Sequence, residues 1–237
     1  MEKTAENKTL PLTRIQKLIG KLMLQSKQRQ PCCYLECSVD VTELAKARRS
    51  YSKAVGVRTT TNDFFLCAIA RAVKKFPLMS AQLDNTGRYI QTAEKVGLGL
   101  AVAAPHGLVV PVIQNTIDKP LSRIAAESAE LLQKARANKL MPYDFDGANI
   151  VLSSLGMYGV TSFFAIAPPG ATAIISIGRI AEQVIPVNGQ KVVKKTMSMA
   201  LAVNQMIVDE FYAAKFMQHL VSLLENPAEL TGQCKDS

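Results

Sequence analysis

The sequence predicts a single α/β domain, a two-layer sandwich of mixed β-sheet and helices. Three observations carry this. Segments with helical apolar spacing alternate along the chain with short apolar runs bounded by Gly, Pro and Thr. A chain of 237 residues is long enough for one substantial core. Neither G-x-G-x-x-G nor G-x-x-x-x-G-K-[ST] occurs, which removes doubly wound dinucleotide and P-loop folds.

The elements follow in order. Residues 1–9 read as a disordered leader or linker remnant. Thr13 is suited to cap a helix running to about Gln28, with Ile15, Leu18, Ile19, Leu22 and Met23 in helical period. Pro31 stops it, and CCYLECSVDVT reads as a strand. Thr42 is expected to cap a second helix through Arg49. Thr61 or Asn62 opens a third, Asp63–Phe76, closed by Pro77. Short strands are expected at Ser80–Leu83, Tyr89–Gln91, Val96–Ala103 and Leu108–Ile113, with turns at Gly87 and Gly107. Ser122–Ala137 is an amphipathic helix that presents Ile124, Ala125, Ser128, Leu131, Leu132 and Ala135 inward. Ile150–Ser153, Ala173–Ile177 and Met197–Val203 are apolar strands separated by a loop and a hairpin, and Val208–Leu224 is the last helix. The core domain is therefore expected over residues 10–230, followed by a polar tail, 231–237.

Composition narrows the class of function. With 48% hydrophobic and 20% charged residues, the chain is expected to be soluble and globular. The longest apolar candidate, Ile166–Ile177, is broken by Pro168, Pro169 and Gly170 and falls short of the roughly 18–20 residues of a membrane span, so no membrane association is expected. The N-terminus has neither the apolar segment of a secretion signal nor arginine-rich transit character. Of five cysteines, Cys32, Cys33 and Cys37 share one extended segment whose neighbouring side chains alternate faces. Free thiols in a reducing compartment, cytoplasm or mitochondrial matrix, are the expectation, with no metal site. The net charge of +9 calls for an anionic partner. Its lysines and arginines are scattered without an aromatic-interleaved stripe, which argues against nucleic acid. Arg14, Lys17 and Lys21 do share a helix face, which suits a phosphate-bearing small molecule or an acidic protein.

Five blocks, in order from about Leu12 to Glu229, carry a resemblance to a known family. They are PLTRIQKLIGKLMLQSK, SVDVTEL, VGLGLAVAAPHGLVVPVIQN, LLQKARANKLMPYDFDGANIVLSSLGMYGV and FFAIAPPGATAIISIG. Together they resemble the catalytic core of the 2-oxo acid dehydrogenase acyltransferases (dihydrolipoamide acyltransferases). The resemblance implies a chloramphenicol-acetyltransferase-like, trimer-forming fold. It also implies coenzyme A and lipoamide as possible substrates, no covalently bound cofactor, and other subunits of a 2-oxo acid dehydrogenase complex as partners. In that family a histidine takes the proton of a thiol, the thiolate attacks an acyl thioester, and a hydroxyl from a neighbouring subunit stabilises the oxyanion. The hydroxyl's position matches Ser153. Ser154 beside it, and His106 in the P-H-G turn, are candidates for substrate contact.

The same resemblance exposes a loss. The family's D-H-R-x-x-D-G motif reads here Asn204, Gln205, Met206, Ile207, Val208, Asp209 and Glu210. Gln205 stands at the position of the histidine, 52 residues (205 − 153) after Ser153. Only the second aspartate, Asp209, is retained. An amide does not titrate near neutral pH and cannot accept the thiol's proton. The aspartate and arginine that form an ion pair in the family are both absent. The chain's two histidines, His106 in a turn and His219 on the last helix, are poorly placed as substitutes. The expectation is an impaired acyltransferase core with a structural role, similar to the non-catalytic "protein X" components, as a homotrimer or in mixed trimers with a catalytic paralogue. An active dihydrolipoamide acyltransferase is the alternative, and a repurposed binder of coenzyme A or another anion the third. The polar ending LTGQCKDS, where cage-forming members have an apolar anchor, suggests poor assembly beyond the trimer.

Overall fold

Capping residues and prolines set most element boundaries in the computed structural model, which describes residues 9–105 and 107–232. The expected leader and polar tail therefore lie mostly outside the described residues. Helix α1 (Arg14–Arg29) starts at Thr13, whose side chain and that of Gln16 cap each other's backbone N–H groups. Strand β1 (Cys32–Asp40) follows Pro31, and α2 (Thr42–Val55) runs beyond the expected end at Arg49. Its Tyr51 is buried, so packing carries the helix on until Gly56, at φ 68°, closes it in the left-handed conformation. Thr42 is the first helical residue rather than the cap, a position held by Val41. Helix α3 (Thr61–Lys75) starts from a Thr60–Asp63 capping box.

Pro77–Ser80 forms a 3₁₀ turn, which shortens the expected strand to β2 (Gln82–Leu83), paired with β3 (Ile90–Gln91). The proline favours the start of a helical turn over a strand. One long hairpin contributes β4 (Gly97–Leu100), β5 (Val102–Ala104), β6 (Gly107–Val109) and β7 (Val112–Ile113). Then come α4 (Leu121–Arg136), β8 (Ala148–Ser154), β9 (Ala173–Ile177), β10 (Ala181–Val187), β11 (Gln190–Asn204), α5 (Glu210–Glu225) and the short α6 (Ala228–Thr231). Between β10 and β11, Asn188 and Gly189 both take positive φ, 50° and 78°, the requirement of a tight type I′ hairpin turn.

The main sheet runs β1-β11-β9-β8-β4-β7, with β10 paired to the first half of β11. It is mixed: β9-β8-β4 are parallel and the remaining pairings antiparallel. Alternation sorts its two faces. Ile150 and Leu152 of β8, Ile175 and Ile177 of β9, and Met199 and Leu201 of β11 pack with Phe64, Phe65, Phe216 and Leu220 of the helical layer. Val151, Ile174 and Ala202 point the other way, under Ala167 and Ala171. Helix α1 reaches that second face, where its buried Ser26 hydroxyl donates to the Ala167 carbonyl at 2.5 Å. Inside the sheet edge, Asn149 accepts from Gly97 N at 2.8 Å and donates to the Ser80 carbonyl at 3.0 Å. That amide ties β8 to β4 and to the turn before β2. Among the described residues no helix is long and apolar enough to cross a membrane, and no cluster of His, Cys, Asp or Glu could hold a metal ion.

Candidate active site

Ser153 occupies the penultimate position of β8, 9% exposed, on the sheet face away from the main helical layer. It pairs with Ser176 of β9, which pairs with Ala200 of β11, which pairs with Glu36 of β1. Three polar residues, Ser153, Ser176 and Glu36, thus lie along one row of the sheet, with the apolar Ala200 between the last two. Ser162 and Ser198 donate to the Glu36 carboxylate, and Ser176 Oγ accepts from Ala165 N at 3.2 Å. The two serine bonds hold the Glu36 pKa below the usual carboxylate value. The segment after β9 crosses the end of β8: Gly178 N donates to the Ser198 carbonyl at 3.0 Å and Arg179 N to the Val160 carbonyl at 2.8 Å. Beside that crossing a cleft of about 250 Å³ is lined by Ser154, Gly156, Arg179, Thr61, Asn62 and Met197. Ser154 thus lines a cleft carrying a guanidinium, while its neighbour Ser153 points to the other face of the strand.

Gln205 lies elsewhere in the same chain. Strand β11 ends at Asn204, 4% exposed, whose Oδ1 accepts from Met206 N and whose carbonyl accepts from Ile207 N and Val208 N, all at 3.1 Å. Gln205 N donates to the Pro31 carbonyl at 2.8 Å. A local asparagine turn therefore keeps the segment folded without the acid–arginine pair of the family's motif. The Gln205 side chain is exposed, and its Nε2 donates to the carboxylate of Glu210. Asp209 caps α5, its Oδ1 accepting from Tyr212 N at 2.7 Å. The Cys33 thiol lies beside this group, and burial, then the Glu210 charge, push its pKa up.

By sequence Glu210 stands only where the family has a glycine. Its contact with Gln205 needed the turn geometry to be seen, although an acidic residue in the first turn of a helix was a signal in itself. His106 lies outside the described residues. His219 is tilted against Phe76 in the helical layer at 5.8 Å, with its pKa lowered by burial and then by Lys75.

Strand register fixes the separation of the two halves. Gln205 is five residues past Ala200, and Ala200 lies two strands from Ser153. At about 3.3 Å per residue and about 4.8 Å per strand, the two positions are roughly 20 Å apart within one chain. One chain does not bring Ser153 and Gln205 together.

The family described as 2-oxoacid dehydrogenases acyltransferase (catalytic domain) matches residues 4–231. The dihydrolipoyllysine-residue acetyltransferase component of the pyruvate dehydrogenase complex of Rickettsia felis is 33% identical over 227 residues, covering 94% of this chain and 55% of that protein. The chain thus spans about half the length of the curated relatives it matches. Among solved structures, Azotobacter vinelandii dihydrolipoamide acetyltransferase is 30% identical with a TM-score of 0.89, covering 95% of this chain and 94% of that one. It comes from an investigation of a serine, a histidine 52 residues later and an asparagine four residues beyond in that enzyme's catalytic mechanism. Ser153, Gln205 and Asp209 have the same spacing. The cubic core of the pyruvate dehydrogenase multienzyme complex matches at 30% identity and a TM-score of 0.89, over 95% of this chain and 94% of that one. Chloramphenicol acetyltransferase, 14% identical with a TM-score of 0.51 over 86% of this chain and 94% of that one, shares the fold.

Proposed function

This chain belongs to the catalytic-domain family of the 2-oxoacid dehydrogenase acyltransferases, and we propose that it is a core component of a pyruvate dehydrogenase-type complex whose acyl-transfer site is impaired. The observation that carries the reading is the Gln205–Glu210 contact at the position of the family's histidine. Transfer between coenzyme A and dihydrolipoamide needs a base to deprotonate the attacking thiol. Gln205 offers an amide that has no acid–base step near neutral pH and is occupied as a donor. General base catalysis is worth about 10²–10⁴-fold. A thiol of pKa about 8.5 is still a few per cent ionised at pH 7, so slow turnover survives while efficient turnover does not.

The hydroxyl side of such a site is retained. Ser153 offers a hydroxyl at the end of β8 for an oxyanion, and on the other face of the strand Ser154 and Arg179 line a cleft that carries a positive charge. Because Ser153 and Gln205 lie roughly 20 Å apart in one chain, a composite site requires a second copy, as in a trimer. In a mixed trimer, Ser153 of this chain faces the histidine of a catalytic paralogue, so this chain completes a site without working alone. Coenzyme A and lipoamide are its substrates there, and the other subunits of the complex its partners. Four free cysteines among the described residues suit a reducing compartment, cytoplasm or mitochondrial matrix.

Sedimentation of the purified chain tests the assembly. A species of three times the 25.8 kDa chain mass is expected, without a larger homogeneous cage. A monomer at all concentrations would remove the composite site. A homogeneous cage would show that assembly does not stop at the trimer.

A further inference from the structure

Away from the Ser153–Gln205 region, a cleft of about 610 Å³ opens between the N-terminus of α3 and the C-terminal half of α4. Asp63 lies at its floor, only 2% exposed. One carboxylate oxygen, Oδ2, is committed to the helix cap, accepting from Thr60 N at 2.7 Å and Thr60 Oγ1 at 2.8 Å. The other, Oδ1, is buried and has no hydrogen-bond partner among the described residues. The Ser128 hydroxyl approaches the same carboxyl from α4 without closing a bond to Oδ1. A buried acceptor without a donor is destabilising, and the cap alone does not account for a full carboxylate here. Burial raises the Asp63 pKa, against the lowering effects of Thr60 and of the Ser128 hydroxyl.

The rim has the opposite character. Arg58 and Arg136 line the cleft, both exposed, and neither joins a salt bridge among the described residues. Between rim and floor the walls are mainly apolar, with Ala129 at the mouth and Leu132 deeper. Two unpaired guanidiniums above one unpartnered carboxylate oxygen define a ligand with two poles. A dianion matches the rim, since guanidinium binds phosphate through paired, directed hydrogen bonds. A hydroxyl or amino group matches the floor.

We propose that this cleft binds a phosphomonoester bearing a free hydroxyl or amino group, with its phosphate between Arg58 and Arg136 and its donor on Asp63. The site shares no lining residue with the Ser154–Arg179 cleft, which it neighbours at the start of α3, and does not depend on the reading of the acyl-transfer region. Calorimetric titration of the whole chain with glycerol 3-phosphate, AMP and methyl phosphate tests it. Glycerol 3-phosphate and AMP are expected to bind. Methyl phosphate, which has no donor, is expected to bind at least about tenfold more weakly, because a hydrogen bond to a charged group is lost. Arg136→Ala should weaken binding by about tenfold or more, and Ala129→Trp, a change at an exposed position that fills the mouth, should abolish it with the melting temperature kept. Ser153→Ala should leave binding unchanged. Absence of binding at millimolar ligand would overturn the proposal. So would binding indifferent to both cleft variants, or equal affinity for methyl phosphate. Loss of binding in Arg179→Ala with Ala129→Trp unaffected would place the ligand in the β8 cleft instead and equally sink it.

Discussion

Converting Gln205 to histidine is expected to restore little acyl transfer by itself, whereas Gln205→His combined with Glu210→Gly should raise it by about 10²-fold or more. The difference comes from the carboxylate that Gln205 now contacts. An imidazole at position 205 would meet Glu210 within hydrogen-bonding reach, and an adjacent negative charge stabilises the protonated ring. Its pKa would rise, leaving it protonated at neutral pH and unable to accept the thiol's proton. The rate of the single variant should therefore climb with pH through that raised pKa. Removing the Glu210 carboxylate should move the rise towards neutral pH and increase the plateau. The turn tolerates the change, because Asn204 rather than the Gln205 side chain holds it through Met206, Ile207 and Val208. Asp209 keeps its cap on Tyr212 N. Steady-state rates across pH for parent, single and double variants check this. Equal activity of the single and double variants would show that Glu210 does not govern the site.

The second large effect concerns folding. A Cβ on Gly178 would run into the Thr161 carbonyl, and one on Gly156 into the Gly178 carbonyl, so three backbone segments meet with no room for a side chain. Gly178 cannot move aside cheaply, because its N–H is bonded to Ser198 and that of Arg179 to Val160. Gly178→Ala is expected to cost about 3 kcal/mol, the upper end for overpacking, from a total stability of about 5–15 kcal/mol. Gly159→Ala is the control. That glycine has φ 80° but open space around it, so only the left-handed backbone cost of about 1–2 kcal/mol applies. Urea midpoints of the two variants separate packing from backbone strain; similar shifts would mean that the crossing at Gly178 yields more easily than its geometry indicates.

Much of the frame was legible because the signals were local. Thr13 at the start of α1 and Pro31 before β1 act within a few residues of themselves. Blocks of sequence carried the fold class through resemblance, and position 205 was identified by the motif aligned there, with its spacing from Ser153 in agreement. What stayed hidden depends on the third dimension. Helix α2 outlasts Arg49 because Tyr51 finds a buried place, which its flanking residues do not announce. Pro77 turned a strand start into a 3₁₀ turn. Glu210 looked like a missing glycine until the turn after β11 folded it back onto Gln205. Asp63 read as the opening of a helix, and so it is, but its second oxygen is orphaned only because α4 closes over it.

Acetyl transfer from acetyl-CoA to dihydrolipoamide by the unmodified protein, measured beside the Gln205→His/Glu210→Gly and Ser153→Ala variants, is the most direct measurement. A chain that has lost its base should turn over at no more than about a hundredth of the double variant's rate. A rate comparable to the double variant's, and abolished by Ser153→Ala, would contradict impairment and show that a working base acts at this site without an imidazole at position 205.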